Sequence, residues 1–219
     1  LRVTGNMKYD SIDSDIKSEE ARQVRSSLGY ADDDVVIIGG SLHEREDQVL
    51  LDSFLNLKPG VSRRALIMVP RYPRNTRRLE QAVSARDQLA VRKTLVDAGQ
   101  CTPPGSSGVL IVDTVGELRT LYAVADIAFV GGSLFFRGSN KGGHNLMEPA
   151  ILALPVIFGP YHSSFKDTVA ELLEADAGVE VNDGAGLVAA LDDLVDDEQR
   201  RKAVGRRARE VVLDGQGAT

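Results

Sequence analysis

The stretch Gly131–Pro149 contains the residues of this sequence that are best suited to binding an anion. It follows an apolar run, Ile127–Val130, that is typical of a short buried strand. It leads to Asn145, a residue type that commonly caps a helix. Because glycines let the backbone approach a ligand and a helix N-terminus favours negative charge, this order predicts a site for a nucleotide phosphate. A tight turn at Gly142 and Gly143 would give the same pattern.

Two charged residues also suit a nucleotide. Glu148 lies in the first turn of the predicted helix, where the dipole favours a carboxylate. The same carboxylate could accept hydrogen bonds from the two hydroxyls of a ribose. Arg71 follows a predicted strand and begins a run of arginines at Arg71, Arg74, Arg77 and Arg78. A solvated helix start would explain this run, but cations are unfavourable in a first helical turn, which favours an anionic partner for Arg71.

Apolar runs alternate with helical patterns along the chain. Strands are predicted at 35–38, 65–69, 109–112, 127–130, 156–158 and 178–181, and a strand end with a turn at Val3–Asn6. Helices are predicted at about 14–28, 44–57, 76–98, 115–125, 145–154, 164–174, 186–195 and 198–213, with a surface loop at 100–108. The alternation predicts a parallel sheet covered on both faces, which is an α/β, Rossmann-like doubly wound fold. We expect one domain over residues 1–219.

Ligands of such sheets bind beyond the carboxyl ends of the strands. Several of the predicted strands are followed by glycine-containing segments, and one is followed by a basic segment. We therefore expect the site to be lined by Ser41, His43, Arg71, Gly131, Gly132, Ser133, Gly142, Gly143, His144, Asn145 and Glu148.

Composition and charge exclude some classes of protein function. The hydrophobic fraction of 42% is typical of a globular domain with a full core, and the net charge of −6 gives no indication of nucleic-acid binding. The single cysteine, Cys101, excludes an intrachain disulfide and suits a reducing compartment. The three histidines lack metal-ligand spacing, so we expect no metal. No apolar run approaches the ~20 residues of a membrane span. Since the chain begins at Leu1, we expect it to be part of a longer protein.

A set of motifs in fixed order resembles a known family. These are Val3–Asp10, Gly40–Glu44, Val69–Pro73, Val112–Leu118, Phe129–Leu134, Gly142–Pro149, Pro155–Pro160 and Phe165–Lys166. Together they resemble the carboxyl-terminal half of bacterial Kdo transferases, which attach 3-deoxy-D-manno-octulosonate (Kdo) to the lipid A precursor of lipopolysaccharide. The resemblance extends from about Val3 to Ala218.

The resemblance implies an enzyme with two Rossmann-like domains, the glycosyltransferase B arrangement, of which this chain would be the domain that binds the donor CMP-Kdo. It implies that Glu148 binds the cytidine ribose and that Arg71 meets the anionic groups of the donor. The remaining implied contacts are Gly143, His144 and Asn145 with the phosphate, Pro70 with the cytosine edge, and Ser41 and His43 with the cleft.

The rest of the reaction is also implied by the resemblance. The missing amino-terminal domain would supply the base, the site for the lipid A precursor and the membrane contact, at the cytoplasmic face of the inner membrane. Transfer would invert the anomeric configuration without a metal or other cofactor, and this half alone would bind nucleotide weakly and transfer nothing. One departure is the loop Phe135–Lys141, which is longer than in common members and in which Arg137 or Lys141 could contact the donor.

Other functions fit the same sequence features. A UDP-sugar transferase or a sugar-nucleotide epimerase would have the same architecture. A non-catalytic nucleotide-binding module would retain the site without the reaction.

Overall fold

The structure, a computed structural model, describes residues 18–60, 63–138 and 142–216. The strand end predicted at Val3–Asn6 lies outside the described residues, as do the first four residues of the predicted helix 14–28 and Lys141 of the long loop.

Strands and helices alternate along the described chain. The strands are β1 (Val35–Leu42), β2 (Arg64–Pro70), β3 (Ala90–Arg92), β4 (Val109–Ile111), β5 (Ile127–Val130), β6 (Val156–Phe158) and β7 (Gly178–Glu180). The helices are α1 (Ser18–Ser27), α2 (Glu46–Leu55), α3 (Thr76–Ser84), α4 (Lys93–Asp97), α5 (Leu118–Val124), α6 (Met147–Ile151), α7 (Lys166–Glu174), α8 (Gly184–Asp196) and α9 (Glu198–Gln216).

In the described part of the chain the strands form one seven-stranded sheet in the order β3-β4-β2-β1-β5-β6-β7. Every pair of neighbouring strands is parallel. Successive residues of one strand enter cores on opposite faces of the sheet: Ile37 and Phe129 lie in one, and Val36 and Ala128 in the other. Burial on both faces explains why the strands read as continuous apolar runs. The predicted α/β, doubly wound fold is confirmed.

β1 extends beyond its predicted end at Ile38. Gly39 pairs with Met68 and Leu42 pairs with Pro70, so two residues of β1 stand opposite one residue of β2. This is a β-bulge, and Ser41 within it has a φ of 54°. The bulge brings the chain after Leu42 to the carboxyl edge of the sheet, where the predicted site lies.

The single long helix predicted for residues 76–98 is wrong. The chain forms α3, then leaves the helix at Asp87 with a φ of 57°, and continues as β3 and α4. Leu89, an apolar residue of this segment, is 55% exposed. The residue that enters the core from this segment is Val91, which pairs with Leu110 at the edge of the sheet.

α9 is a helix of 19 residues that packs on α6 through its small and apolar residues. Gly205 lies so close to Ala153 that a Cβ on it would be 1.9 Å from the Ala153 carbonyl oxygen. None of the helices in the described ranges is long and apolar enough to cross a membrane.

Candidate functional site: the carboxyl edge between β1 and β5

The predicted site residues meet where β1 and β5 lie side by side. The chain leaves β1 for β2 on one side, and β5 pairs with the other side, so this is a topological switch point of the sheet. The N–H of Gly131 donates to the Gly40 carbonyl oxygen at 2.9 Å, and the N–H of Arg71 donates to the Leu42 oxygen at 2.8 Å. The loops that follow β1, β2 and β5 are therefore joined at this edge.

Glu46, which the sequence analysis did not single out, is the buried centre of this edge. It is 1% exposed and is the first residue of α2. One carboxylate oxygen accepts hydrogen bonds from the N–H groups of Ser133 and Leu134, both at 2.9 Å. The other accepts from the N–H groups of Gly132 at 2.7 Å and His43 at 3.1 Å. An acidic residue at the start of the helix that follows β1 was the available signal.

These bonds limit what the residues that follow β5 can contribute to a ligand site, and their expected place in its lining stays a prediction. The N–H groups of Gly132 and Ser133 bind Glu46, so they are not free to bind a phosphate. The hydroxyl of Ser133 is also buried, where it donates to Val130 and accepts from Gly159, both at 2.8 Å. At Gly131, a Cβ would lie 2.6 Å from the Ser41 carbonyl oxygen. These residues hold two loops together and do not present donors to a ligand.

Some N–H groups of the residues from Gly142 to Asn145 are also hydrogen-bonded within the chain. The N–H of Gly143 donates to the Gly132 oxygen at 2.8 Å, and that of Gly142 donates to the Ser163 hydroxyl at 3.3 Å. The following helix, predicted to start at Asn145, is α6 and has only five residues, so its dipole is small. Asn145 does cap it, because its amide oxygen accepts from the Met147 N–H at 3.1 Å.

His43 and His144 form a stacked pair. Their ring centroids are 5.2 Å apart, the ring planes differ by 6°, and the two Nε2 atoms are 3.0 Å apart. The Nη1 of Arg137 is 2.9 Å from Nδ1 and 2.7 Å from Nε2 of His43, and its Nη2 donates to the Gly132 carbonyl oxygen at 3.3 Å. Because a guanidinium can only donate, at least one ring nitrogen of His43 accepts from Arg137, and a neutral imidazole has such an acceptor.

The surroundings keep both imidazoles neutral. Burial lowers the pKa of His43 to about 4, and the cations Arg137 and Arg71 contribute in the same direction. Burial also lowers the pKa of His144 to about 4, assisted by His43 and by the same two arginines, while the Glu46 carboxylate opposes this. The edge of the sheet therefore combines fixed guanidinium charges with uncharged imidazoles at neutral pH.

Three arginines of the run Arg71–Arg78 differ in their partners. Arg78 forms an ion pair with the buried carboxylate of Asp47. Arg71 is exposed and, like Arg74, has no ion pair with any residue in the described ranges. Their guanidinium carbons lie 5.3 Å and 4.7 Å from the ring centroid of Tyr72. Arg71 and Arg74 therefore leave two positive charges at the edge without an internal counter-ion.

Glu148 lies beside this edge, and one oxygen of its carboxylate is held by a hydrogen bond. Its Oε1 accepts from the side-chain amide of Asn145 at 3.0 Å, and no other described residue binds the carboxylate. Burial raises the pKa of Tyr122, and Glu148 raises it further. The Tyr122 hydroxyl in turn lies against Gly40, where a Cβ would be 2.0 Å away. Glu148 is therefore close to the end of β1. Pro70 is buried at the end of β2, opposite Leu42.

Other cavities lie outside this cluster. One, of 480 Å³, opens at the amino ends of the strands beside Asp34, Asp126 and Arg201. That is the opposite edge of the sheet from the one where parallel α/β folds bind ligands, so we do not assign it to the site. A second cavity, of 150 Å³, opens beside Gly142. In the described ranges no group of three or more His, Cys, Asp or Glu could hold a metal ion, and the expected absence of a metal stays a prediction.

The chain is similar in sequence to curated bacterial proteins. No family model matches the sequence. The chain is 30% identical over 219 residues to the 3-deoxy-D-manno-octulosonic acid transferase of Haemophilus influenzae, a match that covers 100% of this chain and 49% of the relative. It is 33% identical over 190 residues to a bifunctional glycosyltransferase/methyltransferase of Fusobacterium nucleatum, covering 87% of this chain and 28% of the relative. The chain thus spans about half the length of the first relative and less than a third of the second.

One solved structure matches over nearly the whole of both chains. It is the C-terminal CMP-Kdo binding domain of WaaA from Acinetobacter baumannii, with a TM-score of 0.75, 25% identity and coverage of 94% of this chain and 98% of that one. The resemblance of this chain to the carboxyl-terminal part of the Kdo transferases is confirmed.

Proposed function

We propose that this chain is the donor-binding domain of a Kdo transferase and that it binds CMP-Kdo at the carboxyl edge between β1 and β5. The observation that carries the proposal is the exposed Arg71, which has no ion pair in the described ranges and lies at a topological switch point. The similarity to a solved CMP-Kdo binding domain supports the choice of donor.

The charges of this edge suit the proposed donor. CMP-Kdo carries a phosphodiester and a carboxylate, and guanidinium groups are strong partners for both. Arg71 would stabilise the negative charge that grows on the phosphate as CMP leaves. The unbound oxygen of Glu148 would accept hydrogen bonds from the ribose hydroxyls. Because the Gly132, Ser133 and Gly143 N–H groups are already bonded, side chains would supply most of the phosphate contacts.

In the complete enzyme this domain would position the donor and stabilise charge, while the other half carries out proton transfer. A base on that half would deprotonate a sugar hydroxyl of the lipid A precursor, which attacks the anomeric carbon with inversion. The acceptor site and the contact with the cytoplasmic face of the inner membrane would belong to the same half. We expect this chain alone to bind nucleotide without transferring sugar, and to need no metal.

Calorimetric titration of the chain with CMP, UMP and UDP tests the nucleotide. The proposal predicts that CMP binds best, whereas preference for UDP would support a UDP-sugar enzyme of the same fold. Arg71→Ala and Glu148→Ala should each weaken CMP binding at least about tenfold, or roughly 1.4 kcal/mol.

Arg206→Ala is the matched control, because Arg206 is an exposed arginine on α9 and should leave binding unchanged. Wild-type affinity in both Arg71→Ala and Glu148→Ala would remove these residues from the site. Joining the chain to its upstream half and finding no transfer from CMP-Kdo would favour a non-catalytic nucleotide-binding module.

A further inference from the structure

The 150 Å³ cavity beside Gly142 has the charge of an anion site. It lies between the loop after β5 and the start of α7. Its described lining contains two cations, Arg137 and Lys166, and no acidic residue. Complete small-molecule sites have volumes of about 300–1,000 Å³, so this cavity suits one part of a larger ligand.

Lys166 is a cation without a counter-ion in the described ranges. It is exposed and forms no ion pair there, whereas Lys93 pairs with Asp97 at 2.7 Å and Lys202 pairs with Glu198 at 2.5 Å. It is also the first residue of α7, a helix of nine residues, where the dipole makes a cation unfavourable. An anion bound in front of Lys166 would be stabilised by the side chain and by the helix together.

Arg137 connects this cavity to the histidine pair. One of its Nη atoms contacts His43 and the other donates to the Gly132 oxygen, so the guanidinium is held in place before a ligand arrives. A planar, preorganised guanidinium suits a carboxylate, because it loses little side-chain entropy on binding. Arg137 therefore lies both in the wall of this cavity and against a residue of the proposed nucleotide site.

The walls of the cavity suit a carbon skeleton. Phe136 and Tyr161 are 66% and 41% exposed, and their rings meet edge to face with centroids 5.6 Å apart. Apolar walls with a few convergent polar groups are the usual composition of a small-molecule site. Ser163, whose hydroxyl accepts from the Gly142 N–H, adds a neutral polar group.

We propose that this cavity is a subsite for the carboxylate of a sugar acid attached to the nucleotide, with Lys166 as its main counter-ion. The proposal rests on the proposed function, since it assigns the sugar part of the donor bound at that edge. The donor's two negative charges would then be separated, with the phosphate towards Arg71 and the carboxylate towards Lys166.

Titration of the wild-type chain and Lys166→Ala with CMP and with freshly prepared CMP-Kdo tests the subsite. In the wild type, CMP-Kdo should bind more tightly than CMP. Lys166→Ala should weaken CMP-Kdo at least about tenfold and CMP less than about twofold, because only CMP-Kdo has the carboxylate. Lys166→Arg keeps the charge and should retain most of the CMP-Kdo affinity. Lys202→Ala, on α9, should change neither affinity.

The outcomes separate the two proposals. If the wild type binds CMP and CMP-Kdo equally, the subsite is refuted and the nucleotide site stands. If Lys166→Ala weakens both ligands to the same extent, or neither, the carboxylate is not bound by Lys166 and the subsite is again refuted. If the wild type binds neither ligand, both proposals fail.

Discussion

Replacement of Glu46 by glutamine tests the buried centre of the carboxyl edge. Each oxygen of the carboxylate accepts two backbone N–H groups. Whichever oxygen becomes an amide NH₂, two N–H groups lose their acceptor and face another donor. Hydrogen bonds to a charged group contribute about 1.5–3 kcal/mol each, so losing two would cost about 3–6 kcal/mol.

A partial gain offsets this loss. A neutral amide is cheaper to bury than a carboxylate, which places the expected loss for Glu46→Gln near the lower bound, at about 3 kcal/mol. For a domain of this size the loss corresponds to roughly 6–12 °C in Tm. Urea unfolding followed by circular dichroism should show a lower midpoint with an unchanged slope, because the area exposed on unfolding stays the same.

Glu44→Gln is the matched control. Glu44 is two residues earlier, its side chain is 67% exposed, and its ion pair with Arg78 is long at 4.0 Å. Such pairs contribute little, so Glu44→Gln should change stability by less than about 0.5 kcal/mol. A Glu46→Gln variant within about 1 kcal/mol of the wild type would refute the view that this carboxylate holds the two loops together.

Two further predictions concern stability. Since the pKa of both His43 and His144 is about 4 in the folded chain and near 6.5 when unfolded, the unfolded state binds more protons between these values. Thermal stability should therefore fall as the pH drops from about 6.5 to 4, and a His43→Asn, His144→Asn double variant that shows the same fall would contradict this. Gly205→Ala should gain up to about 1 kcal/mol in helix propensity but lose more through overlap with the backbone at Ala153, for a net loss of about 1–3 kcal/mol in urea unfolding. Gly184→Ala, whose Cβ would meet no atom closer than 3.4 Å, is its control, and equal effects of the two would be evidence against the overlap.

The sequence predicted the central strands well because of the way they are buried. A parallel strand covered on both faces needs apolar residues at every position, as in Val35–Ile38 and Ala65–Val69. β3 has three residues and only Val91 is fully buried among them, so its pattern was too short to compete with the helical spacing around it. A partly exposed edge strand has little apolar signal.

The site was predicted in position and only partly in detail. Topology alone places the ends of parallel strands together, which is why His43 and Arg71 could be assigned to one edge. Hydrogen bonding at that edge depends on pairs far apart in sequence: His43 meets His144 across 101 positions, and Glu46 meets Gly132 across 86. Nothing in the local pattern indicates such a pair, so the occupied N–H groups could not be foreseen.

The distance in sequence between Glu46 and its partners also affects biosynthesis. A ribosome completes α2 long before it makes Gly132–Leu134, so the nascent chain contains a carboxylate for which three of the four donors do not yet exist. Burying that charge with only the His43 N–H as a donor would cost several kcal/mol, which should keep β1 and α2 from packing fully until β5 has docked. Chains that terminate before Gly132 should therefore remain loosely packed and be degraded quickly by cellular proteases.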